Sequence, residues 1–295
     1  MSYLNGILQG LIQGFTEFLP VSSSGHLSLF QHFTGISSES SVFFSIMLHL
    51  ATLGAVIIAF RKTVWKLIIE FFSMLKDIFT LKIGKNKPTA SRKVLYMLML
   101  SCVPLLFILP LKDTITGLSS DSSILAEGIF FLVTALLLFI SDRCIKGNKK
   151  ASDVTVRDSL AIGVAQCVAT LPGISRSGST ISAGLLCGLK RETAVEYSFI
   201  LGMPTILAAA LLEIKDVLTM ETAIQFDLMP TIVGMIVALI SGLCAIKLVN
   251  YIVKTDKFKI FAIYTLVLGI LTIVAVIIEK IIGMPLSGVI MPLFS

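Results

Sequence analysis

Charge is what this 295-residue sequence has least of: 14% of its residues are charged and 55% are hydrophobic, whereas a soluble domain carries roughly a quarter charged residues. That balance, with a mean hydropathy of +0.94, excludes an ordinary soluble domain and reads as a polytopic membrane protein. The five cysteines (Cys102, Cys144, Cys167, Cys187 and Cys244) include no C-x-x-C pair and have no histidine at ligand spacing. They read as small packing residues, not as a disulfide or zinc framework. The N-terminus lacks a basic leader region and a small-residue cleavage site, and it carries Glu17, so it reads as mature protein and not as a signal peptide. The net charge of +6 comes without the basic face or aromatic interleaving of a nucleic-acid binder, and no nucleic-acid partner is expected.

What is present is a series of apolar runs. Crossing ~30 Å of hydrocarbon takes about 20 residues in a helix, and six runs reach that length: roughly 42–60, 94–111, 124–141, 194–214, 228–248 and 259–280. The connections alternate in charge. The first holds Arg61, Lys62, Lys66, Lys76, Lys82, Lys85, Lys87, Arg92 and Lys93, the third Arg143, Lys146, Lys149, Lys150 and Arg157, and the fifth Lys254 and Lys257. The second and fourth carry one lysine each, Lys112 and Lys215. The positive-inside rule puts the first, third and fifth in the cytoplasm, and the N-terminal segment and the C-terminus outside. Residues 63–80, with Trp65 and phenylalanines among Lys66, Glu70, Lys76 and Asp77, either lie along the inner interface or extend the first span.

Two segments, 3–35 and 158–190, share another shape: an apolar stretch, a Pro/Gly/Ser break, then about ten apolar residues, which at 1.5 Å each cover about half a bilayer. Each is expected to be a re-entrant helix hairpin, its irregular backbone surrounded by protein or a polar cavity. A shift of 153 positions aligns Gln13 with Gln166, Ser22 with Ser175, Ser24 with Ser177, Gly25 with Gly178, Gly35 with Gly188, Ser45 with Ser198 and Thr52 with Thr205. Three crossings separate the copies, so the second is inverted. The expected fold is therefore all-α, one integral membrane domain over 1–295, with six transmembrane helices and two re-entrant hairpins. Repeat one covers about 3–141 and repeat two about 158–280, with their broken tips meeting at one site, as in many secondary transporters.

Those tips carry the chemistry. Glu17 is an acid in an apolar helix, a functional candidate by default, and Gln13 lies one turn earlier on the same face. Together they suit a hard divalent cation that keeps several waters, Mg2+ or Ca2+; a plain buried pair of Glu17 with Arg176 is the competing reading. Arg176 offers a forked donor for phosphate oxygens. Ser175, Ser177 and Thr180 surround it, and Gly178 and Ser179 open a helix whose amides favour an anion. No Walker loop is present. His26 follows Ser22, Ser23 and Ser24 and is suited to take a proton from serine or water, or to attack phosphorus itself. His32 and His49 read as packing or interfacial residues, and Asp142, Glu213 and Glu221 as solvated span ends. A site with this inventory fits a phosphate ester carrying a lipid tail.

The two motifs, Gln13 and Glu17 running on into FLPVSSSGH, and Pro172, Gly173, Ser175, Arg176, Ser177 and Thr180 in P-G-x-S-R-S-x-x-T, resemble those of the undecaprenyl-diphosphatase family of bacitracin-resistance proteins. Length, span number and both motif positions agree with that family. The resemblance implies hydrolysis of undecaprenyl diphosphate to the monophosphate carrier lipid of cell-wall synthesis, in a bacterial plasma membrane, by a site facing outward. It implies catalytic Glu17, Ser23, His26 and Arg176, metal ligands Gln13 and Glu17, and a phosphate grip from Ser175, Arg176, Ser177, Gly178 and Thr180. Its partners would be the lipid diphosphate and membrane lipids; a homodimer is left open. Position 13 is Gln where many members have Glu, one negative charge fewer beside any metal. A lipid-phosphate carrier with the same grip is the alternative; a phosphatidic-acid type phosphatase would need further Lys/Arg and a second motif histidine.

Overall fold

The computed structural model describes residues 2–35, 41–81, 87–108, 110, 123–144, 147–171, 173–219, 227–255 and 257–286. Pro172 and Glu221, and the side chain of Glu213, lie outside the described residues. The described chain forms helices α1 (Tyr3–Phe18), α2 (Ser23–Thr34), α3 (Ser41–Ala59), α4 (Arg61–Phe79), α5 (Ala90–Leu106), α6 (Leu125–Asp142), α7 (Val156–Val168), α8 (Arg176–Leu186), α9 (Arg191–Thr219), α10 (Leu228–Lys254) and α11 (Lys259–Ile282). Among the described residues the only extended pairing is a single parallel bridge between Lys149 and Leu189.

A helix stands at each of the apolar runs. α6, Arg191–Leu212 of α9, α10 and α11 are each long and apolar enough to cross a membrane, whereas Phe43–Ala59 of α3 and α4 qualify only together, as a pair bent by 95°. The bend removes one of the two readings of residues 63–80, because α4 is not a straight extension of α3. α4 presents Trp65, Phe72 and Phe79 outward, while Glu70 and Asp77 on it are tied to Arg92 of α5 at 2.7 and 3.0 Å. Helix α5 has 17 residues and holds Pro104 in its last turn.

The basic connections gather on one face. Lys66, Ala90, Lys150 and Thr193 line one cavity of about 340 Å³, and Arg191, which pairs with Asp142 at 3.0 Å, lies 6.0 Å from the centre of the Phe258 ring. The outward faces of α10 and α11 are aliphatic, with Ile236, Ile240, Ile263, Leu271 and Ile277 all exposed, a surface far more apolar than water tolerates over such a width. The chain is a multi-pass membrane protein by composition and by this surface.

Two close helix pairs set the depth of the site. α1 runs in the same direction as α10: Gly10 lies against Gly234, and Gly14 against Ala238, Ser241 and Gly242, small residues that let two axes approach. α7 runs with α5 in the same way, with the Ser101 hydroxyl donating to the Ser159 carbonyl at 3.0 Å and Gly163 resting on Ser101 and Pro104. Each pair carries the end of a short helix into the bundle. Phe18, the last residue of α1, is fully buried and meets Phe199 of α9 edge-on at 5.3 Å.

Candidate functional site

Proline cannot continue a helix, and α1 stops at Phe18 before Leu19 and Pro20. The chain then turns through Ser22 at φ 73°, a conformation few residues other than glycine adopt, and the Ser22 hydroxyl caps α2 by accepting from the Gly25 amide at 3.3 Å. The second break repeats the device. Gly173 takes φ 94°, where a side chain would be strained, and the Ser175 hydroxyl caps α8 by accepting from the Gly178 amide at 3.0 Å. Ser22 and Ser175, aligned in the sequence, do the same work. The breaks touch: the Ser177 hydroxyl donates to the Leu19 carbonyl at 3.2 Å, and the Gly173 amide to Ser24 Oγ at 3.4 Å.

Glu17 stands where they meet. Its Oε1 accepts from Arg176 Nη2 at 2.6 Å, and its Oε2 accepts from Ser23 Oγ at 2.7 Å and from Gln13 Nε2 at 3.0 Å. Burial of a carboxylate requires such pairing. Arg176 is hydrogen-bonded through one nitrogen only, since its Nη1 is buried without a partner.

The pair closes the polar end of a cleft of about 710 Å³, where Glu17, Ser23, His49, Gln166, Arg176 and Ser177 converge. Its other walls are mainly apolar, with Leu105 and Leu106 from the end of α5, Ile108 just after it, and Ile206, Ala209 and Leu212 from α9. An anion-accepting end joined to an apolar trough matches the two halves of a lipid phosphate.

Three of the residues expected in the site are turned elsewhere. His26 is not among the residues that line the cleft; its Nδ1 is 2.7 Å from the Ser22 carbonyl and its Nε2 2.8 Å from the Tyr264 hydroxyl. The ring stacks on Tyr264 and meets Phe131 edge-on. The Thr180 hydroxyl donates to the Arg176 carbonyl at 2.8 Å and lies 2.6 Å from Ser198 Oγ, so it braces α8 against α9. The Gly178 amide is spent on the Ser175 cap.

The sequence reading also needs correction at His49. Instead of packing, His49 faces the site: Nε2 lies 3.9 Å from Glu17 Oε2, and Nδ1 is fixed 2.8 Å from the Ser45 carbonyl. Gln166 and Gly202 were missed as well. Gln166 was visible as the repeat partner of Gln13; Gly202 had no signal, because its meaning lies in Arg176 packing upon it.

Among the described residues no three His, Cys, Asp or Glu side chains converge as a metal cluster. The oxygens at hand are the Glu17 carboxylate, Ser23 Oγ and Gln13 Oε1, the last buried without a partner. All are hard donors, and so small a set fits a cation that keeps waters or takes substrate oxygens, as Mg2+ does.

A helical membrane protein with an acid and an arginine joined between two helix breaks, above an apolar trough, belongs to the class that handles lipid-linked phosphates within the bilayer. Residues 6–271 match the family described as bacitracin resistance protein BacA, and the chain belongs to that family. It is 38% identical over 278 residues to the undecaprenyl-diphosphatase of Desulforapulum autotrophicum, covering 93% of this chain and 99% of the relative. It is 40% identical over 269 residues to that of Thermosipho africanus (91% and 98%) and 36% over 282 residues to that of Methanosphaera stadtmanae (93% and 98%).

Proposed function

We propose that this chain hydrolyses undecaprenyl diphosphate to undecaprenyl phosphate and inorganic phosphate, which returns the carrier lipid to cell-wall synthesis and confers bacitracin resistance. The observation that carries the reading is the Glu17–Arg176 contact at 2.6 Å at the polar end of a cleft that is otherwise mainly apolar. The guanidinium of Arg176 grips the diphosphate at that end, with Ser175 and Ser177, whose hydroxyls hold the Gly178 amide and the Leu19 carbonyl, shaping the pocket around it, while the α5 and α9 walls take the start of the polyprenyl tail.

Ser23 lines the cleft with its hydroxyl already donating to a base, Glu17, at 2.7 Å. In this reading Glu17 takes the proton as Ser23 oxygen, or a water in its place, attacks the terminal phosphorus, and lipid monophosphate leaves; where Ser23 has attacked, a water then displaces the serine oxygen, which takes back the proton from Glu17, and inorganic phosphate is released. Positioning and charge stabilisation do most of the work, as is general for phosphoryl transfer. His26 acts through the first break, because its ring holds the Ser22 carbonyl from which the Ser23 turn departs; Thr180 likewise positions Arg176. Glu17 and Gln13 would hold a divalent cation, which supplies neutralisation of phosphate charge when bound.

The same reading takes α3, α5, α6, α9, α10 and α11 as crossings and the α1/α2 and α7/α8 pairs as re-entrant hairpins of an inverted repeat. Support comes from the short helices that run with α10 and α5 into the bundle and from the matched serine caps. With the basic face in the cytoplasm, the first hairpin and the C-terminus lie outside. The position of Leu105 and Leu106, at the end of α5 remote from Arg92, supports a cleft mouth open toward the outer leaflet of the plasma membrane.

The test is phosphate release from undecaprenyl diphosphate by the purified protein in detergent, with Mg2+ or Ca2+ and with chelator, beside Arg176→Ala. Metal-dependent release that the variant loses is the expected result. Folded protein that binds the lipid phosphate but releases none would make it a carrier.

A further inference from the structure

Gln166, in the last turn of α7, has a side chain that is only 2% exposed, yet neither its Oε1 nor its Nε2 has a hydrogen-bond partner. Buried amides are ordinarily satisfied, so an amide left open on both atoms is a place where something absent belongs. Gln166 lines the cleft beside Thr170, Ser175 and Arg176. Arg176, by contrast, is fixed on both sides, its Nη2 donating to Glu17 and its Nη1 packed on Gly202 of α9. Gln166, before the second helix break, and Arg176, just after it, thus line one cleft, and the Gln166 amide is the group there with no partner on either polar atom.

Their positions differ along the cleft. Arg176 and Glu17 occupy the polar end, next to Ser23. Gln166 lies one turn beyond Gly163, the residue that rests on Ser101 and Pro104 of α5, so it belongs to the side of the cleft next to α5, whose Cys102, Leu105 and Leu106 also line it. A lipid diphosphate threaded through the cleft has its terminal phosphate at the polar end and its tail in the trough. The lipid-bearing phosphate falls between them, beside Gln166.

We propose that Gln166 is a specificity-determining residue that binds the lipid-bearing phosphate of a diphosphate substrate, its Nε2 donating to a phosphoryl oxygen and its Oε1 accepting from a protonated oxygen or a bridging water. The proposal deepens the phosphatase reading and rests on it. It explains how a site with one arginine distinguishes a diphosphate from the monophosphate it produces: Arg176 grips either molecule, and Gln166 adds affinity only when a second phosphate reaches it.

The experiment compares wild type with Gln166→Met, which keeps the length of the side chain and removes both polar atoms. Phosphate release is measured against undecaprenyl diphosphate concentration, and Tm in detergent is measured alone, with a polyprenyl methylenebisphosphonate, and with a polyprenyl monophosphate. The expected result is KM raised about tenfold or more, the loss typical of a bond to a charged partner. Tm of the free variant should equal or exceed that of wild type, and the extra Tm gain that the bisphosphonate gives wild type over the monophosphate should vanish. A lower free Tm with KM and the bisphosphonate gain unchanged would overturn the assignment, since the amide would then serve only the fold. If Gln166→Met does not fold, Gln166→Glu, which keeps shape but adds a negative charge facing phosphate, must raise KM further still; an unchanged KM there also overturns it. Wild type that binds the bisphosphonate but releases no phosphate would defeat the phosphatase reading instead, and the binding comparison would still decide the role of Gln166.

Discussion

The guanidinium of Arg176 lies directly on Gly202, at the place where any other residue on α9 would carry its Cβ. The hydrogen at this position is what lets the arginine reach from the start of α8 across to Glu17 on α1. An ordinary helical residue thereby becomes part of the phosphate grip without touching phosphate.

Gly202→Ala should accordingly fold well, since alanine favours a helix interior, and yet displace the guanidinium. A shift on the scale of 1 Å costs about 100-fold in rate. Phosphate release should fall by between about tenfold and that limit, with Tm within a few degrees of wild type. Unchanged turnover would show that Arg176 does not need its seat on α9.

Arg176→Lys keeps a positive charge but cannot hold Glu17 with one nitrogen while offering another to phosphate. A fall of about 100-fold or more in phosphate release is expected, because the bidentate geometry and not the charge alone does the gripping. Near-normal turnover in the purified variant would sink that role.

Tyr264→Phe removes the hydroxyl 2.8 Å from His26 Nε2 and, by the usual worth of such a bond, about 1 kcal/mol. If His26 serves by holding the Ser22 turn, activity drops several-fold together with a small loss of Tm. A rise in activity would mean that Tyr264 restrains a histidine that itself attacks or takes the proton. A phosphoamino-acid assay of acid- and alkali-quenched enzyme separates the two: no alkali-stable phosphohistidine is expected.

Gln13→Glu places a second carboxylate one turn from Glu17. Added ligand charge strengthens divalent cation binding, so the metal concentration for half-maximal phosphate release should fall about tenfold, and Mg2+ should raise Tm more than it does in wild type. Identical metal titrations in the two proteins would show that position 13 is no ligand.

The sequence by itself determined whatever is written in neighbouring residues. Apolar length set where α3, α5, α6, α9, α10 and α11 form, the charge of the connections identified the face on which they gather, and Pro20, Gly173 and the serine clusters marked the two helix breaks. It also supplied the identity of the chemistry, since a carboxylate and an arginine within apolar segments are too costly to be incidental. Tertiary structure alone decided which of these groups meet. Glu17 pairs with a residue 159 positions away. His49 faces the carboxylate instead of packing, Gln166 is left open in the cleft, and His26 turns to Tyr264, 238 positions on. The reason is geometric. A hydropathy pattern specifies that a helix is buried, but in a chain apolar on nearly every side it leaves the rotation of each helix about its axis undetermined. That rotation was set only by close small-residue contacts such as Gly14 on Ser241 and Gly202 beneath Arg176.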